Sequence, residues 1–366
     1  MGGPVYTLKQ IRRWTHLIDF FSLERKVYRV TPGLWCPTLT PYTWMSMGKL
    51  NEPEKLFAMA YRGKQPVARA GFKVHRAHGY EALHFGYFEA LPDAHEEVRA
   101  LVDLGHQLAP HLPMRGPHHF RLEDPYTGLL VDGFDFEPHF LMSYNPPYYE
   151  DLLAGAGLNK SMDLYTYRYL NADIKPDIMK GRAERAAAKG IVVEPMRSGD
   201  LRRQVTQIAE VFNDALSQNW GFEPIEGAQL EDLMLLARFV LDPNMVFLAY
   251  QNNHPIGCII VLPNLNPMLR ASNGSLNHKF MWKYLTRNRW VDSYRGYALG
   301  VRKEYRADEV TAALINAAME RGKQIHWREL EISWVLESNR PMNALAQALG
   351  GKRNKTYRLL ERPPQR

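Results

Sequence analysis

Three cationic residues lie in one short turn between a predicted strand and a predicted helix. Arg302, Lys303 and Arg306 follow the short apolar segment 296–301 and precede a helix that begins at Asp308. Backbone N–H groups at a helix start attract anions, and neighbouring cations strengthen that attraction. The turn therefore predicts a site for a phosphate or pyrophosphate group.

The elements that must position this turn are a strand, a helix and a second strand. Apolar residues at helical spacing from Val310 to Ala318 predict the helix. In the next segment, 329–337, apolar and polar residues alternate, which predicts a strand with a buried apolar face and a solvated polar face. The strand is expected to stop at Ser338 and Asn339.

The two halves of the chain repeat the same order of elements. Ala60-Tyr61 and Pro66-Val67 flank a four-residue polar turn, as do Ala249-Tyr250 and Pro255-Ile256. We predict two copies of an α/β unit with a mixed sheet, at residues 1–172 and 191–366, joined by a helical linker at 173–190. The first helix is expected over residues 7–30.

Composition narrows the class of protein. The 366 residues carry a net charge of +7, but the cations are scattered among acids, which argues against a nucleic-acid groove. The two cysteines, Cys36 and Cys258, are isolated and predict reduced thiols in a cytoplasmic protein. No histidine spacing indicates a metal site. No segment has transmembrane length, although peripheral membrane contact is left open.

Six segments resemble the GNAT superfamily of acyl-CoA-dependent N-acyltransferases, and more specifically a bacterial group of tandem GNAT-like proteins of largely unassigned function. The resemblance covers residues from about 20 to 361. The segments are FGYFEAL at 85–91, GLLVDGFD at 128–135, YNPPYY at 144–149, NWGF at 219–222, LGVRKEYR at 299–306 and SWVLESN at 333–339.

The resemblance implies an acyl-CoA or acetyl-CoA site in the second half. Backbone groups at Leu299, Gly300 and Val301 would bind the pantetheine arm, and the turn with Arg302, Arg306 and Ala307 would bind the pyrophosphate. Where the superfamily has glycines, this chain has Glu309 and Thr311. Glu309 adds bulk and negative charge near the expected anion, which predicts weaker binding. The first half lacks a cationic glycine turn and is expected to be degenerate.

Acyl transfer to an amine also needs groups that move protons. Glu331 and Glu337 are the candidate bases, and the resemblance implies that Asn339 holds the cofactor or a water molecule. The alternative is that Glu329 and Glu331 only form the solvated face of the strand and that Glu337, Ser338 and Asn339 cap the following helix. The general acid that the superfamily often uses, a tyrosine in the last helix, is missing from residues 341–350.

Two segments are candidates for the acceptor site. Asn219, Trp220 and Phe222 lie where the resemblance places acceptor-binding loops, although Trp220 and Phe222 could equally fill the core. Segment 264–297 is rich in large apolar residues, which would line a channel for a lipid-like group or pack between the halves. The sequence thus predicts an N-acyltransferase acting on a small-molecule or lipid-like amine, with a catalytically silent binding protein as the alternative.

Overall fold

The computed structural model describes residues 6–38, 40–77, 80–120, 125–175, 177–217, 224–272, 276–305 and 308–365. The β-strands in these ranges are β1 (Tyr6–Gln10), β2 (Lys55–Arg62), β3 (Gln65–Ala77), β4 (Tyr80–Ala90), β5 (Met114–Gly116), β6 (Leu129–Asp132), β7 (Asn159–Leu170), β8 (Val192–Pro195), β9 (Val246–Gln251), β10 (His254–Pro263), β11 (Ser293–Val301), β12 (Glu329–Leu336) and β13 (Lys352–Arg362).

The α-helices are α1 (Leu17–Val30), α2 (Thr40–Ser46), α3 (His95–His106), α4 (Tyr149–Gly155), α5 (Asp177–Ala188), α6 (Leu201–Leu216), α7 (Ala228–Phe239), α8 (Asn266–Ala271), α9 (His278–Leu285), α10 (Asp308–Gln324) and α11 (Arg340–Ala348). Short 3-10 helices occur at Trp14–His16, Asn171–Asp173, Ser198–Asp200, Pro243–Met245, Arg287–Arg289 and Lys303–Tyr305.

The chain packs into two compact units that are discontinuous in sequence. Unit 1 comprises Met1–Leu164, Asn266–Leu285 and Lys355–Arg366, and unit 2 comprises Tyr165–Leu265 and Thr286–Asn354. Strands β7 and β13 therefore contribute residues to both units. The domain boundaries predicted from the repeat stay a prediction.

Unit 1 is built on a mixed sheet. Strands β1 to β4 are antiparallel neighbours, β4 runs parallel to β5, and β5 and β6 each pair with β13 in antiparallel register. Helix α1 packs on β3 and β4, and α3 packs on β2 and β3. The prediction of a helix over residues 7–30 is wrong at its start, because residues 6–10 form a strand that pairs with β2.

Unit 2 has the same plan. Strands β8, β9, β10 and β11 are antiparallel neighbours, β11 runs parallel to β12, and β7 lies beside β12. Helix α6 packs on β10 and β11, whereas α10 packs on β9 and β10 and along α5. Helix α5, which lies in the predicted linker, buries Met179 and Ala186. The predicted α/β fold with mixed sheets is confirmed.

The repeated hairpins match in register. Tyr61 pairs with Pro66 across β2 and β3, and Tyr250 pairs with Pro255 across β9 and β10. The register shifts next to each pair, between Ala60 and Tyr61 in the first hairpin and between Pro255 and Gly257 in the second. A proline cannot donate to the strand ladder, so a bulge beside it is the expected local response.

One expectation about β12 is wrong. The strand alternates as predicted, but its polar residues Glu329, Glu331 and Ser333 are buried, whereas Leu330 and Ile332 are only half-buried. Periodicity identifies the two faces of a strand and does not say which face is covered. The polar face of β12 is therefore an internal surface of unit 2.

Candidate functional site

Strands β11 and β12 pair over only part of their length. The parallel ladder joins Ser293–Gly296 to residues 329–332. Tyr297 is an extra residue on β11, opposite the step from Ile260 to Val261 on β10, and such an extra residue forms a β-bulge. Beyond this bulge, β11 continues beside β10 as far as Val301. In the described part of the chain, residues 297–301 thus pair with β10 on one side only. Their other edge lies beyond the end of the ladder with β12.

The predicted pantetheine-binding residues occupy this stretch. Leu299 is half-buried, and Gly300 and Val301 are buried. A Cβ atom at Gly300 would lie 2.9 Å from the Phe212 ring of α6, so glycine is needed for α6 to pack closely. Close packing of α6 therefore explains the glycine at position 300. The role of Leu299, Gly300 and Val301 in binding pantetheine stays a prediction.

The cationic turn after β11 already has partners within unit 2. Arg302 Nε donates to the carbonyl oxygen of Pro255 at 2.7 Å, and its Nη2 lies 3.3 Å from Glu210 Oε2. The backbone N–H of Lys303 donates to Asp214 Oδ2 at 2.6 Å. Arg306 and Ala307, the other predicted pyrophosphate residues, lie outside the described residues. The described part of the turn is thus held by α6 and by the β9–β10 hairpin.

The negative charge of Glu309, at the start of α10, is compensated. Lys189 Nζ lies 3.0 Å from Glu309 Oε1. The hydrogen bond from Lys189, followed by the backbone N–H of Glu309, lowers the pKa of this carboxyl group. The ion pair reduces the repulsion that the sequence predicts between Glu309 and a bound anion.

The candidate catalytic residues lie after β12. Asn339 is exposed and is the N-cap of α11, where its Oδ1 accepts from the backbone N–H of Met342 at 3.2 Å. Glu337 is half-buried. The capping alternative therefore describes the local structure of Asn339, and the catalytic roles of both residues stay predictions. Asn219, Trp220 and Phe222, the predicted acceptor loop, lie outside the described residues.

The buried polar face of β12 belongs to a charged network that the sequence analysis missed. Arg295 on β11 and Glu331 on β12 are register partners, and both are fully buried. Arg295 Nε donates to Ser333 Oγ at 2.8 Å, and its guanidinium lies 4.8 Å from the Trp334 ring centroid. Glu331 Oε2 accepts from Asn354 Nδ2 at 2.8 Å. This network rigidifies the point at which β11 and β12 separate.

In unit 1, strands β4 and β5 separate in the same way as β11 and β12, and a cavity lies near this separation. Strand β4 pairs with β5 only at Leu83 and His84, and the register of β4 against β3 shifts between Arg69 and Gly71. The cavity has a volume of about 60 Å³. Its polar lining includes Glu24, Tyr28, Arg69, Glu89, His118, His119 and Tyr149.

The cavity carboxylates are held by a short chain of contacts. Arg69 Nη2 lies 3.3 Å from Glu24 Oε2 and 3.8 Å from Glu89 Oε1. Tyr149 donates from its hydroxyl group to Glu89 Oε2 at 2.6 Å. Cys36 Sγ donates to Glu24 Oε1 at 3.1 Å. All of these groups except Cys36 are buried, so one arginine faces two acids in a region with little water.

The electrostatics of the cavity follow from this burial. Burial, and then the charge of Glu24, raises the pKa of Glu89 to about 8. Burial also lowers the pKa of His118 and of His119 to about 3 in each case, with smaller contributions from nearby positive groups. At neutral pH Glu89 is mostly protonated and both imidazoles are neutral.

The two units correspond residue by residue at the bulge. Gly86-Tyr87 on β4 corresponds to Gly296-Tyr297 on β11, so Glu89 corresponds to Leu299. A Cβ atom at Gly86 would lie 1.6 Å from the carbonyl oxygen of His118, so glycine lets the segment after β5 approach β4. The repeated Gly-Tyr pair was the sequence signal that could have identified Glu89.

The helix start that follows β4 is closed by ion pairs. Arg62 contacts the carboxylate of Asp93 and lies 2.5 Å from Glu97 Oε1 on α3. Glu97 lies in the first turn of the helix and Asp93 lies just before it, where an anionic ligand would otherwise bind. The expectation that the first half is degenerate stays a prediction.

The described residues hold neither a metal-binding cluster nor a membrane-spanning helix. Within the ranges given above, no group of three or more histidine, cysteine, aspartate or glutamate side chains is arranged to hold a metal ion. In the same ranges, no helix has both the length and the apolar character needed to cross a bilayer. Cys36 and Cys258 are free thiols.

The comparison with solved structures identifies the fold. A tandem GNAT protein from the clavulanic acid biosynthesis pathway superposes with a TM-score of 0.56 over 99% of this chain and 100% of that chain, at 11% sequence identity. The chain therefore has the GNAT fold in tandem form, as the sequence resemblance predicts.

Two proteins are similar in sequence. A bacterial ceramide synthase of Caulobacter vibrioides is 29% identical over 255 residues, which are 68% of this chain and 66% of that protein. The chain thus spans slightly less than two thirds of that relative. Protein YghO of Escherichia coli is 24% identical over 83% of this chain and 81% of its own length. No model of a known protein family matches the chain.

Proposed function

We propose that the protein is an N-acyltransferase that moves an acyl group from acyl-CoA or acetyl-CoA to the amine of a small or lipid-like acceptor. The observation that carries this proposal is the separation of β11 from β12 after Gly296, which leaves one edge of residues 297–301 open. An extended pantetheine arm can bind along such an edge through backbone hydrogen bonds. The amine nitrogen then attacks the thioester carbonyl, a C–N bond forms, and the C–S bond breaks.

The residues proposed to hold the cofactor are those predicted from the sequence. Leu299, Gly300 and Val301 supply the backbone edge, and Arg302, Arg306 and Ala307 surround the pyrophosphate. The ion pair between Lys189 and Glu309 supports this role, because it compensates the acid nearest the expected anion. Glu337 and Asn339 are proposed to contact the reacting groups at the end of β12.

The proposed acceptor is a lipid-like amine. The similarity to a bacterial ceramide synthase supports this class, since a ceramide is an N-acylated long-chain amino alcohol. Asn219, Trp220 and Phe222 are proposed to contact the acceptor.

Peripheral contact with a membrane is part of the same proposal. On α9, Met281, Trp282 and Leu285 are 45%, 57% and 77% exposed, and Lys279 beside them is exposed as well. Phe280 of the same helix is buried and its ring stacks with that of Tyr284, so α9 has a buried side as well as an exposed apolar side. Exposed aromatic and aliphatic residues flanked by lysine fit an anionic lipid surface. A lipid-like acceptor would reach the protein from that surface.

A catalytically silent binding protein is the second candidate function. It is favoured by the contacts of Arg302 and of the Lys303 N–H with Pro255 and Asp214, because groups engaged within the protein are less available to a phosphate. It is also favoured by the capping role of Asn339.

Calorimetric titration separates the two candidates. The purified chain is titrated with acetyl-CoA and with palmitoyl-CoA, and the titrations are repeated on Arg306→Ala. Arg202→Ala, an exposed arginine of α6, is the matched control. If the protein is an acyltransferase, we expect it to bind the thioesters and Arg306→Ala to weaken that binding about tenfold or more, because one charge-assisted contact with a phosphate is lost. Arg202→Ala should leave the binding unchanged. Absence of binding at millimolar thioester would favour the silent protein.

A further inference from the structure

We infer that an exposed face of unit 1, formed by the segments around the start of α1 and around α2, binds an anionic lipid surface. This face, which we call the tryptophan face, comprises Arg12, Arg13, Trp14, Ile18, Trp44, Met45 and Lys49. It shares no residue with α9. The inference does not depend on the proposed reaction, because a protein that transfers no acyl group would bind lipid through this face equally well.

Four large apolar side chains of the tryptophan face are exposed together. Trp14, Ile18, Trp44 and Met45 are 53%, 75%, 49% and 47% exposed. The rings of Trp14 and Trp44 are in edge-to-face contact with their centroids 5.6 Å apart, which joins the two segments. Single exposed apolar residues are common in proteins, whereas contiguous ones mark a surface that binds a partner.

The core of unit 1 holds both segments of this face in place. Leu17 and Met47, one from each segment, are buried in that core. Asn51 Nδ2 donates to the carbonyl oxygen of Arg12 at 3.1 Å, which ties the chain before α1 to the chain after α2. The exposure of two indole rings is therefore a property of the folded unit.

The charge around the tryptophan face is positive. Residues 1–50 contain seven lysine and arginine residues and two acidic residues, so they carry +5 of the net charge of +7. The Arg12 guanidinium donates to Gln10 Oε1 at 2.7 and 3.0 Å, and this neutral acceptor does not cancel its charge. Within the described residues 6–38 and 40–51, every exposed charged side chain is cationic, namely Lys9, Arg12, Arg13, Arg25, Arg29 and Lys49.

The two acids of this segment are engaged with groups of the protein interior. Glu24 is buried and its Oε2 lies 3.3 Å from Arg69 Nη2. Asp19 is half-buried and its Oδ2 accepts a hydrogen bond from the Tyr61 hydroxyl at 3.0 Å. Neither acid offsets the outward positive charge as an exposed side chain, so a negatively charged surface complements this face.

The arrangement of apolar and cationic residues favours a bilayer as that surface. Indole rings prefer the boundary between acyl chains and head groups, because their apolar body and their N–H group contact different layers. Ser22, Arg25 and Arg29 follow Ile18 at helical spacing, so the exposed side of α1 continues from an apolar residue into a cationic row. A helix that lies flat on an anionic membrane has this pattern.

The experiment measures co-sedimentation of the full chain with phosphatidylglycerol vesicles and with phosphatidylcholine vesicles, at low and high salt. We expect the wild type to bind the anionic vesicles at least tenfold more tightly, and added salt to weaken that binding. Trp14→Ala combined with Trp44→Ala should weaken binding about tenfold, because the indole rings are lost. Arg12→Glu combined with Arg13→Glu should weaken it about tenfold or more, because two attractions become repulsions.

Each double variant has a matched control. Phe239→Ala replaces an aromatic residue of α7 that is 54% exposed. Arg202→Glu combined with Arg203→Glu reverses the charge of two adjacent arginines of α6 whose side chains are 72% and 71% exposed. Both controls should bind the vesicles as the wild type does. Equal binding by a variant and its control would overturn the inference, as would equal binding of the two lipids by the wild type.

Further arms separate this face from α9 and from the proposed reaction. In a Leu285→Glu background, the two tryptophan substitutions should weaken binding again, and no further loss would contradict the inference. A wild type that binds neither vesicle would overturn it and would leave an acidic protein as the partner that matches the charge. If the tryptophan variant fails to fold, the variant with both exposed arginines reversed decides. Acyl-CoA binding is titrated on the same samples without lipid, so a failure of the proposed function is seen separately.

Discussion

The Tyr149 hydroxyl lies 2.6 Å from Glu89 Oε2 and also accepts a hydrogen bond from the backbone N–H of Ala90 at 3.0 Å. Tyr149 is the first residue of α4, so this pair joins α4 to the end of β4. The two contacts fix the orientation of a buried acid in the cavity of unit 1. That acid gives the protein a measurable pH signature.

We expect Glu89 to lower the free energy of unfolding as the pH rises, in opposition to the buried His118 and His119, whose lowered pKa values raise it up to about pH 6.5. Glu89 has a pKa of about 8 in the folded chain against 4.5 for an ordinary glutamate, so the folded state holds more protons between these values. Its contribution is fully present below about pH 4.5 and is lost by about pH 8, with a change on the order of a few kcal/mol.

Urea unfolding at several pH values measures this change. The free energy of unfolding of the wild type relative to that of Glu89→Gln should fall between pH 5 and 8, whereas its value relative to that of Glu81→Gln, at an exposed acid of the same strand, should stay constant. A wild-type slope retained in Glu89→Gln would mean that another group is responsible.

Gly86→Ala should be strongly destabilising. The added Cβ would lie 1.6 Å from the carbonyl oxygen of His118, a backbone atom that cannot move without displacing the segment after β5. We expect a loss of about 3 kcal/mol or more in thermal or urea unfolding. Gly155→Ala on α4 is the control, because no atom lies within 4 Å of its added Cβ. A Gly86→Ala protein as stable as the control would contradict the close approach.

Arg295→Lys should destabilise unit 2 although the charge is kept. The planar guanidinium contacts Ser333 and lies over the Trp334 ring, and an ammonium group cannot reproduce both contacts. Loss of satisfied contacts at a fully buried charge is expected to cost about 2–4 kcal/mol. Arg328→Lys, whose side chain is 58% exposed, is expected to change stability by less than about 0.5 kcal/mol. Equal effects of the two substitutions in urea unfolding would argue against the network.

Leu285→Glu should reduce binding to membranes. The substitution places a negative charge on the exposed apolar face of α9, where an anionic vesicle is expected to bind. Co-sedimentation with phosphatidylglycerol vesicles should fall several-fold, and wild-type binding should weaken with added salt. Val192→Glu on β8, at a residue that is 53% exposed, is the matched control. Equal sedimentation of both variants would mean that α9 does not face the lipid.

The repeat and the fold could be predicted because they depend on local patterns. The Tyr61–Pro66 and Tyr250–Pro255 pairs occupy matching hairpins. The alternation of apolar and polar residues along a strand, and the residues of its turn, can be recognised in a single sequence. The sequence predicted that the polar face of β12 is solvated, and this is wrong because Arg295 and Asn354, from other strands, hydrogen-bond to Ser333 and Glu331 on that face.

The cavity of unit 1 was missed for a related reason. Glu24, Arg69, Glu89 and Tyr149 come from four different elements, and no short spacing connects them. Besides the repeated Gly-Tyr pair, the remaining signals were single charged residues among apolar ones, Arg69 within β3 and Glu89 next to last in β4. The cofactor turn at Arg306 and Ala307 and the loop at Asn219, Trp220 and Phe222 lie outside the described residues, so their roles depend on the sequence resemblance.

The final strand has a consequence for the order of folding. Arg358 of β13 lies 2.8 Å from Asp163 and 2.6 Å from Glu150, and Arg362 lies 2.6 Å from Asp103, all in unit 1. These partners are 195, 208 and 259 positions apart in the chain. On the ribosome, residues 1–164 of unit 1 therefore emerge first, but unit 1 lacks residues 355–362 of β13 until the whole of unit 2 has been synthesised. A nascent chain that stalls before residue 355 leaves unit 1 without the strand residues that pair with Asp103, Glu150 and Asp163.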